Sequence, residues 1–98
     1  MKPALRFSGG SCLVSGQAVF YALDSLSHEL LTEAGKAGEM VIDLAEVSDC
    51  DSAFVALVTA CLQIKQKQGQ LLALANSPRK LLQMLDVYGL AGSGVQII

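Results

Sequence analysis

The segment that decides the fold of this chain is Val41-Ile-Asp-Leu-Ala-Glu-Val-Ser-Asp-Cys-Asp-Ser-Ala-Phe-Val-Ala-Leu-Val-Thr-Ala60. The apolar residues at the start of this segment, together with the preceding Met40, predict a short central strand over Met40–Leu44 that is buried on both faces. An acidic loop follows, and a smooth apolar helix then begins at Asp51 or Ser52. The helix is predicted to run to Gln68, with Gly69 ending it. The segment therefore delivers a hydroxyl group to a helix N-terminus.

Working outward from this segment, hydrophobic spacing and turn residues predict the remaining elements. The third helix carries the strongest end signals, with Ser77 as its N-cap and Pro78 as its first residue. The full order β-β-α-β-α-β-α-β indicates an α/β fold with a small, mixed, largely parallel sheet and right-handed crossovers. The other predicted elements are strands at Leu5–Phe7 and Ser11–Ser15, a helix at Val19–Ala34, a strand at Leu71–Ala75, and a strand or apolar tail at Val95–Ile98.

Length and composition favour one domain that spans residues 1–98 and has more apolar surface than it can bury. The hydrophobic fraction is 52% and the mean hydropathy is +0.47. The longest apolar run, Ala53–Leu62, is too short to cross a bilayer, which takes about 20 residues, so no direct membrane insertion is expected. The three cysteines are interpreted as structural thiols in a reducing cytoplasm. A protein partner is the natural cover for the excess apolar surface.

The charges argue against nucleic-acid binding, since the net charge is −2 and no basic stripe is present. They are also distributed unevenly, because eight of the nine acids lie between Asp24 and Asp51. Arg79 and Lys80 lie in the first turn of the third helix, where two cations oppose the helix dipole. They are either solvated or positioned to meet an acidic partner.

The second helix has a predicted core-facing stripe formed by Phe54, Leu57, Val58, Cys61 and Leu62. Its opposite side is expected to be polar, but carries Val55, Ala56 and Thr59 beside Ser52. Small apolar residues next to a hydroxyl favour a surface on which another helix packs closely. The simpler alternative is that Ser52 only caps the helix or lies in its first turn. Phosphorylation of Ser52 would act mainly by spoiling a contact, because the nearby acids oppose a phosphate about as strongly as the helix dipole favours it.

No catalytic set is evident, and no cofactor or metal site is predicted. Asp49-Cys-Asp51 after an apolar strand has a weak similarity to the nucleophile loop of haloacid-dehalogenase phosphatases, but the usual Gly-Thr/Val sequel is absent. His28 is the only histidine and falls in the middle of a predicted helix. A small phosphatase therefore stays a minor alternative.

The chain resembles a STAS domain over nearly its whole length, at Asp51-Ser52 before an apolar helix, at Gly69-Gln70-Leu-Leu-Ala-Leu-Ala75 and at Ser77-Pro-Arg-Lys-Leu-Leu-Gln-Met-Leu85. The resemblance implies the STAS fold. In anti-sigma factor antagonists of this family, the Ser or Thr directly after such an Asp is the regulatory phosphorylation site, and Ser52 holds that place. One functional alternative is therefore an anti-sigma factor antagonist that is regulated by phosphorylation of Ser52.

Within this family, the chain is most similar to the small standalone STAS subunits (MlaB-like) of the Mla phospholipid-transport ABC systems of Gram-negative bacteria. The short length, the hydroxyl after Asp51 and the run Lys67-Gln68-Gly69 carry this resemblance. It implies a non-enzymatic cytoplasmic subunit, peripheral to the inner membrane, that binds the ATPase (MlaF-like) of a permease complex and supports outer-membrane lipid asymmetry. The uncovered apolar surface would also let two isolated copies form a homodimer. The expected partner-binding residues are Asp51, Ser52, Val55, Ala56 and Thr59, with Arg79 and Lys80 at the rim.

Overall fold

The computed structural model describes residues 4–8, 10–19, 22–89 and 94–98. These residues form five strands and three helices in the order that the sequence predicts. The sequence also predicts that the third helix ends at Tyr88 with Gly89 after it, which is confirmed, and that Leu90 contacts Leu85, a contact that lies outside the described residues. The elements are β1 (Ala4–Ser8), β2 (Ser11–Ala18), α1 (Asp24–Ala34), β3 (Met40–Cys50), α2 (Ser52–Gln68), β4 (Leu72–Ala75), α3 (Arg79–Val87) and β5 (Val95–Ile97).

The strands form one sheet in the sequential order β1-β2-β3-β4-β5. β1 is antiparallel to β2, and the remaining neighbours are parallel. Each helix connects two adjacent parallel strands, and all three crossovers advance in the same direction across the sheet. Because such crossovers are right-handed, they place the three helices on the same face. The prediction of a mixed, largely parallel α/β sheet is confirmed.

The one-sided arrangement corrects the prediction that β3 is buried on both faces. Along its first half, buried Met40, Ile42 and Leu44 alternate with half-buried Val41 and Asp43. β2 shows the same alternation over its whole length. The buried positions face the helices, and the half-buried positions between them face away from the helices. Period-two burial is typical of a sheet that is covered on one face only.

The acidic loop predicted after Leu44 is also wrong, because β3 continues to Cys50. Its second half stays paired with β2, with Ser15 opposite Glu46 and Ala18 opposite Cys50. Two shifts of register absorb the extra residues on β3. The acidic residues that follow Leu44 therefore lie in the paired strand β3, and α2 begins immediately after the end of that strand.

The helix α2 agrees with its predicted bounds and with its predicted core stripe. All five residues of that stripe are at most 6% exposed. Gly69 ends the helix in the left-handed conformation, with φ at 69°, as expected of a glycine after the last turn. Continuing the stripe by one turn reaches Lys65, which is a charged residue and yet only 1% exposed.

The Lys65 ammonium is held by backbone carbonyl groups that follow α1. It donates to the carbonyl oxygen of Lys36 at 2.7 Å and to that of Gly38 at 2.8 Å. The side-chain amide of Gln68 donates to the carbonyl oxygens of Ala34 and Gly35, at 3.2 and 3.0 Å. The C-terminal end of α2 thereby satisfies acceptors that the end of α1 leaves unpaired. These contacts fix the two parallel helices against each other.

The start of α3 differs from the prediction by one residue. Pro78 has an extended conformation, with ψ at 147°, and takes the capping position, so the helix begins at Arg79. Leu82 closes the first turn through its N–H, which donates to the carbonyl oxygen of Pro78. Ser77 consequently lies one residue before the capping position of α3 and does not cap the helix. Its hydroxyl oxygen is buried without a hydrogen-bond partner among the described residues.

Replacing Lys65 with Met should lower the free energy of unfolding by about 2 kcal/mol, because carbonyl groups that now accept from a charged donor would lose it. Chemical denaturation followed by circular dichroism measures this change. Lys67→Met is the matched control on the same helix, since Lys67 is exposed and should change stability by no more than about 0.5 kcal/mol. Equal stability of the two variants would contradict the structural role of Lys65.

Candidate functional site

Asp51, rather than Ser52, caps the second helix. The Asp51 carboxylate accepts from the backbone N–H of Ala53 at 3.0 Å and from that of Phe54 at 3.4 Å. Ser52 is therefore the first residue of α2, and its side chain is exposed. Of the simpler interpretation, the capping role of Ser52 is wrong, because its neighbour already bonds the free N–H groups, whereas its position in the first turn is confirmed. The capping aspartate leaves the adjacent serine side chain at the surface.

An apolar groove starts at Ser52 and follows the outer side of α2. We call it the α2 groove, and its volume is about 480 Å³. Tyr88, just after α3, forms the opposite wall and is 56% exposed. The two helices therefore build the groove together. It is lined by Ser52, Val55, Ala56, Thr59, Ala60, Gln63 and Tyr88.

The predicted docking residues lie at different depths in this groove. Ala56 is exposed, and Thr59 is half-buried with its hydroxyl donating to the carbonyl oxygen of Val55 at 2.8 Å. Val55 is only 4% exposed and packs in the core, so its predicted exposure is wrong. The reason is that α3 packs beside α2 on this side and covers it. Val55 forms the floor of the groove, which is a shallow and open depression.

Lys80 binds a carboxylate of its own chain at the acidic end of the site. Its ammonium donates to Asp49 at 2.9 Å. This hydrogen bond, followed by one from the backbone N–H of Cys50, holds the pKa of Asp49 below its usual range. The same contact with Asp49 raises the pKa of Lys80. Lys80 therefore pairs with a carboxylate of its own chain while staying exposed, and Arg79 is exposed beside it.

The three cysteines are free thiols, and all are buried. Burial raises the pKa of Cys12 to about 11 and that of Cys61 to about 12. Burial also raises the pKa of Cys50, the thiol nearest the site. These thiols stay protonated at neutral pH and pack as small apolar groups. Among the described residues, no group of histidine, cysteine and carboxylate side chains is arranged to hold a metal ion.

A family model described as "Mlab, STAS domain" matches residues 7–98. The chain belongs to this family of STAS domains. Proteins of the STAS family are in general regulatory or accessory domains rather than enzymes. No helix in the described part of the chain is long and apolar enough to cross a membrane.

Solved structures show the same fold at low sequence identity. A STAS domain protein from Planctomyces limnophilus is 17% identical, with a TM-score of 0.75 over 99% of this chain and 90% of that one. Phosphorylated SpoIIAA, a cell fate determinant of Bacillus, is 16% identical, with a TM-score of 0.72 over 98% and 90%. The unphosphorylated form of SpoIIAA, an anti-sigma factor antagonist, is 14% identical in sequence. Its TM-score is 0.73 over 98% of this chain and 86% of that one. A search among curated proteins gave no match.

The structure brings most of the predicted site residues to one end and one side of the molecule. The predicted positions on α2 line or adjoin the groove, and Lys80 reaches the same end through Asp49. Gln63 and Tyr88 were missed. Helical spacing could have found Gln63, which lies one turn beyond Thr59, but no local pattern indicates Tyr88. That side chain joins the site only because α3 packs against α2.

The Asp49–Lys80 pair makes stability depend on pH at both extremes. Because the folded pKa of Asp49 is lowered, its contribution is present above the ordinary aspartate pKa and disappears as the pH falls through the lowered value. Because the folded pKa of Lys80 is raised, the contribution of Lys80 to stability is present below the ordinary lysine pKa. This contribution disappears as the pH rises through the raised value. Carboxyl-carbon NMR titration of Lys80→Met should show a higher Asp49 pKa than in the unmodified protein.

Asp43 provides the internal control in the same titration. Its pKa is lowered by the side-chain amide of Asn76 and by the N–H of Ala45, and neither group involves Lys80. The Asp43 pKa should stay unchanged in Lys80→Met. An unchanged Asp49 pKa, or equal shifts at both carboxylates, would show that the ion pair does not form in solution.

Proposed function

We propose that this protein is a non-catalytic subunit that binds the ATPase of a phospholipid-transporting ABC transporter. Its contribution would be to support assembly and activity of the ATPase, and so to maintain outer-membrane lipid asymmetry. It would lie in the cytoplasm and reach the inner membrane only through its partners. The family relation supports this proposal, since the matching STAS domains are described as Mlab. The α2 groove is the observation that carries it.

The groove has the shape and chemistry of a docking surface for a helix. It is concave and mostly apolar, and it is bordered by side chains that remain exposed, such as Ala56 and Tyr88. Small residues on α2 would allow the axis of a second helix to approach closely, while Tyr88 offers a large aromatic wall of the kind enriched at protein interfaces. Val87 and Leu82 are further exposed apolar side chains on α3, at 79% and 38% exposure. Covering this surface with a partner would remove it from water.

Charged groups near Ser52 would define the rim of the interface. Asp49 and Lys80 satisfy each other at 2.9 Å, so this rim is already paired before a partner arrives. Arg79 is exposed and would be the cation that meets an acidic residue of the ATPase. A rim of this kind would contribute more to orientation than to affinity.

Substituting Lys for Ser52 should abolish copurification with the coexpressed ATPase, because a long charged side chain would project from the mouth of an apolar groove. Affinity purification through a tag on the ATPase measures the loss. The free energy of unfolding should change by no more than about 1 kcal/mol, since Ser52 is exposed.

Ser25→Lys is the matched control, because Ser25 is also an exposed serine in the first turn of a helix, on α1. This variant should copurify as the unmodified protein does. If Ser52→Lys still copurifies normally, the proposed placement of the ATPase is wrong. If both variants lose the ATPase, the loss does not report on the groove.

An anti-sigma factor antagonist that is switched by phosphorylation of Ser52 is the second candidate. The observation that favours it is the exposed hydroxyl directly after the capping Asp51, in a fold shared with SpoIIAA, which is known in phosphorylated and unphosphorylated forms. A phosphate there would add about two negative charges at the mouth of an apolar groove, which would disfavour docking.

Intact-mass spectrometry after incubation with ATP and a cognate serine kinase distinguishes the two candidates. The antagonist function predicts a single added phosphate that is absent from Ser52→Ala and present in Ser25→Ala. The subunit function requires no modification and instead predicts the ATPase complex. Phosphate on both variants would place the modification elsewhere on the chain.

A further inference from the structure

The strand β5 forms one edge of the sheet, and its outer side pairs with no other strand among the described residues. The N–H of Ile98 donates to the carbonyl oxygen of Leu74 at 2.9 Å. Successive residues of a strand direct their N–H and C=O groups to opposite sides, so Gln96 also bonds to β4. Val95 and Ile97 therefore direct their N–H and C=O groups outward, away from the sheet.

This edge lacks the features by which sheet edges usually avoid pairing. Charged side chains and prolines on an edge strand oppose the addition of another strand. The opposite edge, β1, carries Arg6, which pairs with Glu46 on β3 at 3.5 Å. β5 has the sequence Val-Gln-Ile, without a charge or a proline, and its Ile97 side chain is 49% exposed. The β5 edge is therefore open to pairing with another strand.

The two faces of β5 differ in polarity. Val95 and Ile97 lie opposite leucines of β4 that are buried beneath the helices, so both side chains are on the apolar face of the sheet. Gln96 lies opposite Ala73, on the face away from the helices, and is exposed. An added strand would therefore meet apolar side chains on one face and an amide on the other.

An exposed apolar side chain of α3 lies on the same side of the molecule as this edge. Leu82 follows Lys80 by two positions, which is about 200° around the helix axis. Lys80 points toward Asp49, immediately before α2, so Leu82 is on the side of α3 that faces away from α2 and toward β5. It is 38% exposed. A strand added to β5 would bring further apolar side chains to this side of α3.

We infer that the β5 edge binds the β5 edge of a second copy of this chain, with the two strands antiparallel around a twofold axis at Gln96. A twofold interface uses the same surface on both subunits, as this arrangement does. In this register, Val95 lies opposite Ile97 of the other copy, and Gln96 lies opposite Gln96. The outward N–H and C=O groups of each Val95–Ile97 pair then exchange two hydrogen bonds, as in an antiparallel ladder.

The pattern of β5 is complementary to itself in this register, which supports a second copy as the occupant. Val95 and Ile97 of both copies fall on the same face. The apolar rows that include Leu72 and Leu74 therefore continue from one sheet into the other. The two Gln96 amides meet on the opposite face, where each offers a donor and an acceptor to the other. Because β5 has no charged residue, no like charges on the two strands oppose their approach.

This inference is independent of the proposed function. α3 separates the β5 edge from the α2 groove, which lies on the other side of that helix. A dimer of this kind would leave both grooves open, so each copy could still bind its partner. The dimer can be tested on the purified chain without any ATPase.

Analytical ultracentrifugation of the purified chain over about a hundredfold range of concentration should show a reversible monomer–dimer equilibrium. Gln96→Glu and Gln96→Lys should each weaken dimerisation by about tenfold or more, because like charges would meet at the twofold axis. An equimolar mixture of these two variants should dimerise again, since a carboxylate then faces an ammonium group. Ile97→Pro should leave only monomer, because it removes an outward N–H and spares the ladder with β4. All three variants should retain the circular dichroism spectrum of the unmodified chain.

Gln63→Glu is the control for net charge, because Gln63 is an exposed glutamine that lines the α2 groove, on the other side of α3 from β5. It should dimerise as the unmodified chain does. A chain that stays monomeric throughout would overturn the inference. Equal weakening by Gln96→Glu and Gln63→Glu, or a mixture of the Gln96 variants that stays monomeric, would overturn the pairing at β5. None of these results bears on copurification with the ATPase, so the two proposals fail independently.

Discussion

Three side chains on the inner face of α2, those of Phe54, Val58 and Cys61, are at most 2% exposed, and their burial holds the helix over the sheet. The sheet has sequential strand order, so α1 and α3 share this face with α2. With neighbours on both sides and the sheet beneath, α2 has only its outer face left for other molecules. The single-sided arrangement of helices is thus the constraint from which the position of the α2 groove follows.

The two ends of α2 are fixed by different interactions. At the start, the Asp51 carboxylate satisfies two backbone N–H groups, which leaves the adjacent serine exposed. At the end, the Lys65 ammonium and the Gln68 amide satisfy the carbonyls that follow α1. Removing one partner of such a buried charge is costly, since the other groups are left unpaired. The outer face is consequently presented on a helix that is anchored at both ends.

Much of the fold was predictable because its signals are local. Hydrophobic spacing gave the order of elements and the inner stripe of α2, and Gly69 marked the helix end through its freedom to adopt positive φ. The burial of β3 was predicted wrongly, since a short apolar run does not show whether one or both faces are covered. The alternation of Val41 and Asp43 with larger apolar residues was the available signal, and Ser15 and Gln17 repeat it on β2.

The sequence by itself determined the type and order of the elements, that Ser52 lies at the start of α2, and that the chain has the STAS pattern. Only the tertiary structure decided that Val55 forms the floor of a groove and that Tyr88 forms its wall, because both depend on where α3 packs. It also decided the partners of Lys65 and Lys80, which bind groups 29 and 31 positions away in the chain. Local patterns report the periodicity of one element, whereas grooves and ion pairs arise where elements that are distant in sequence meet.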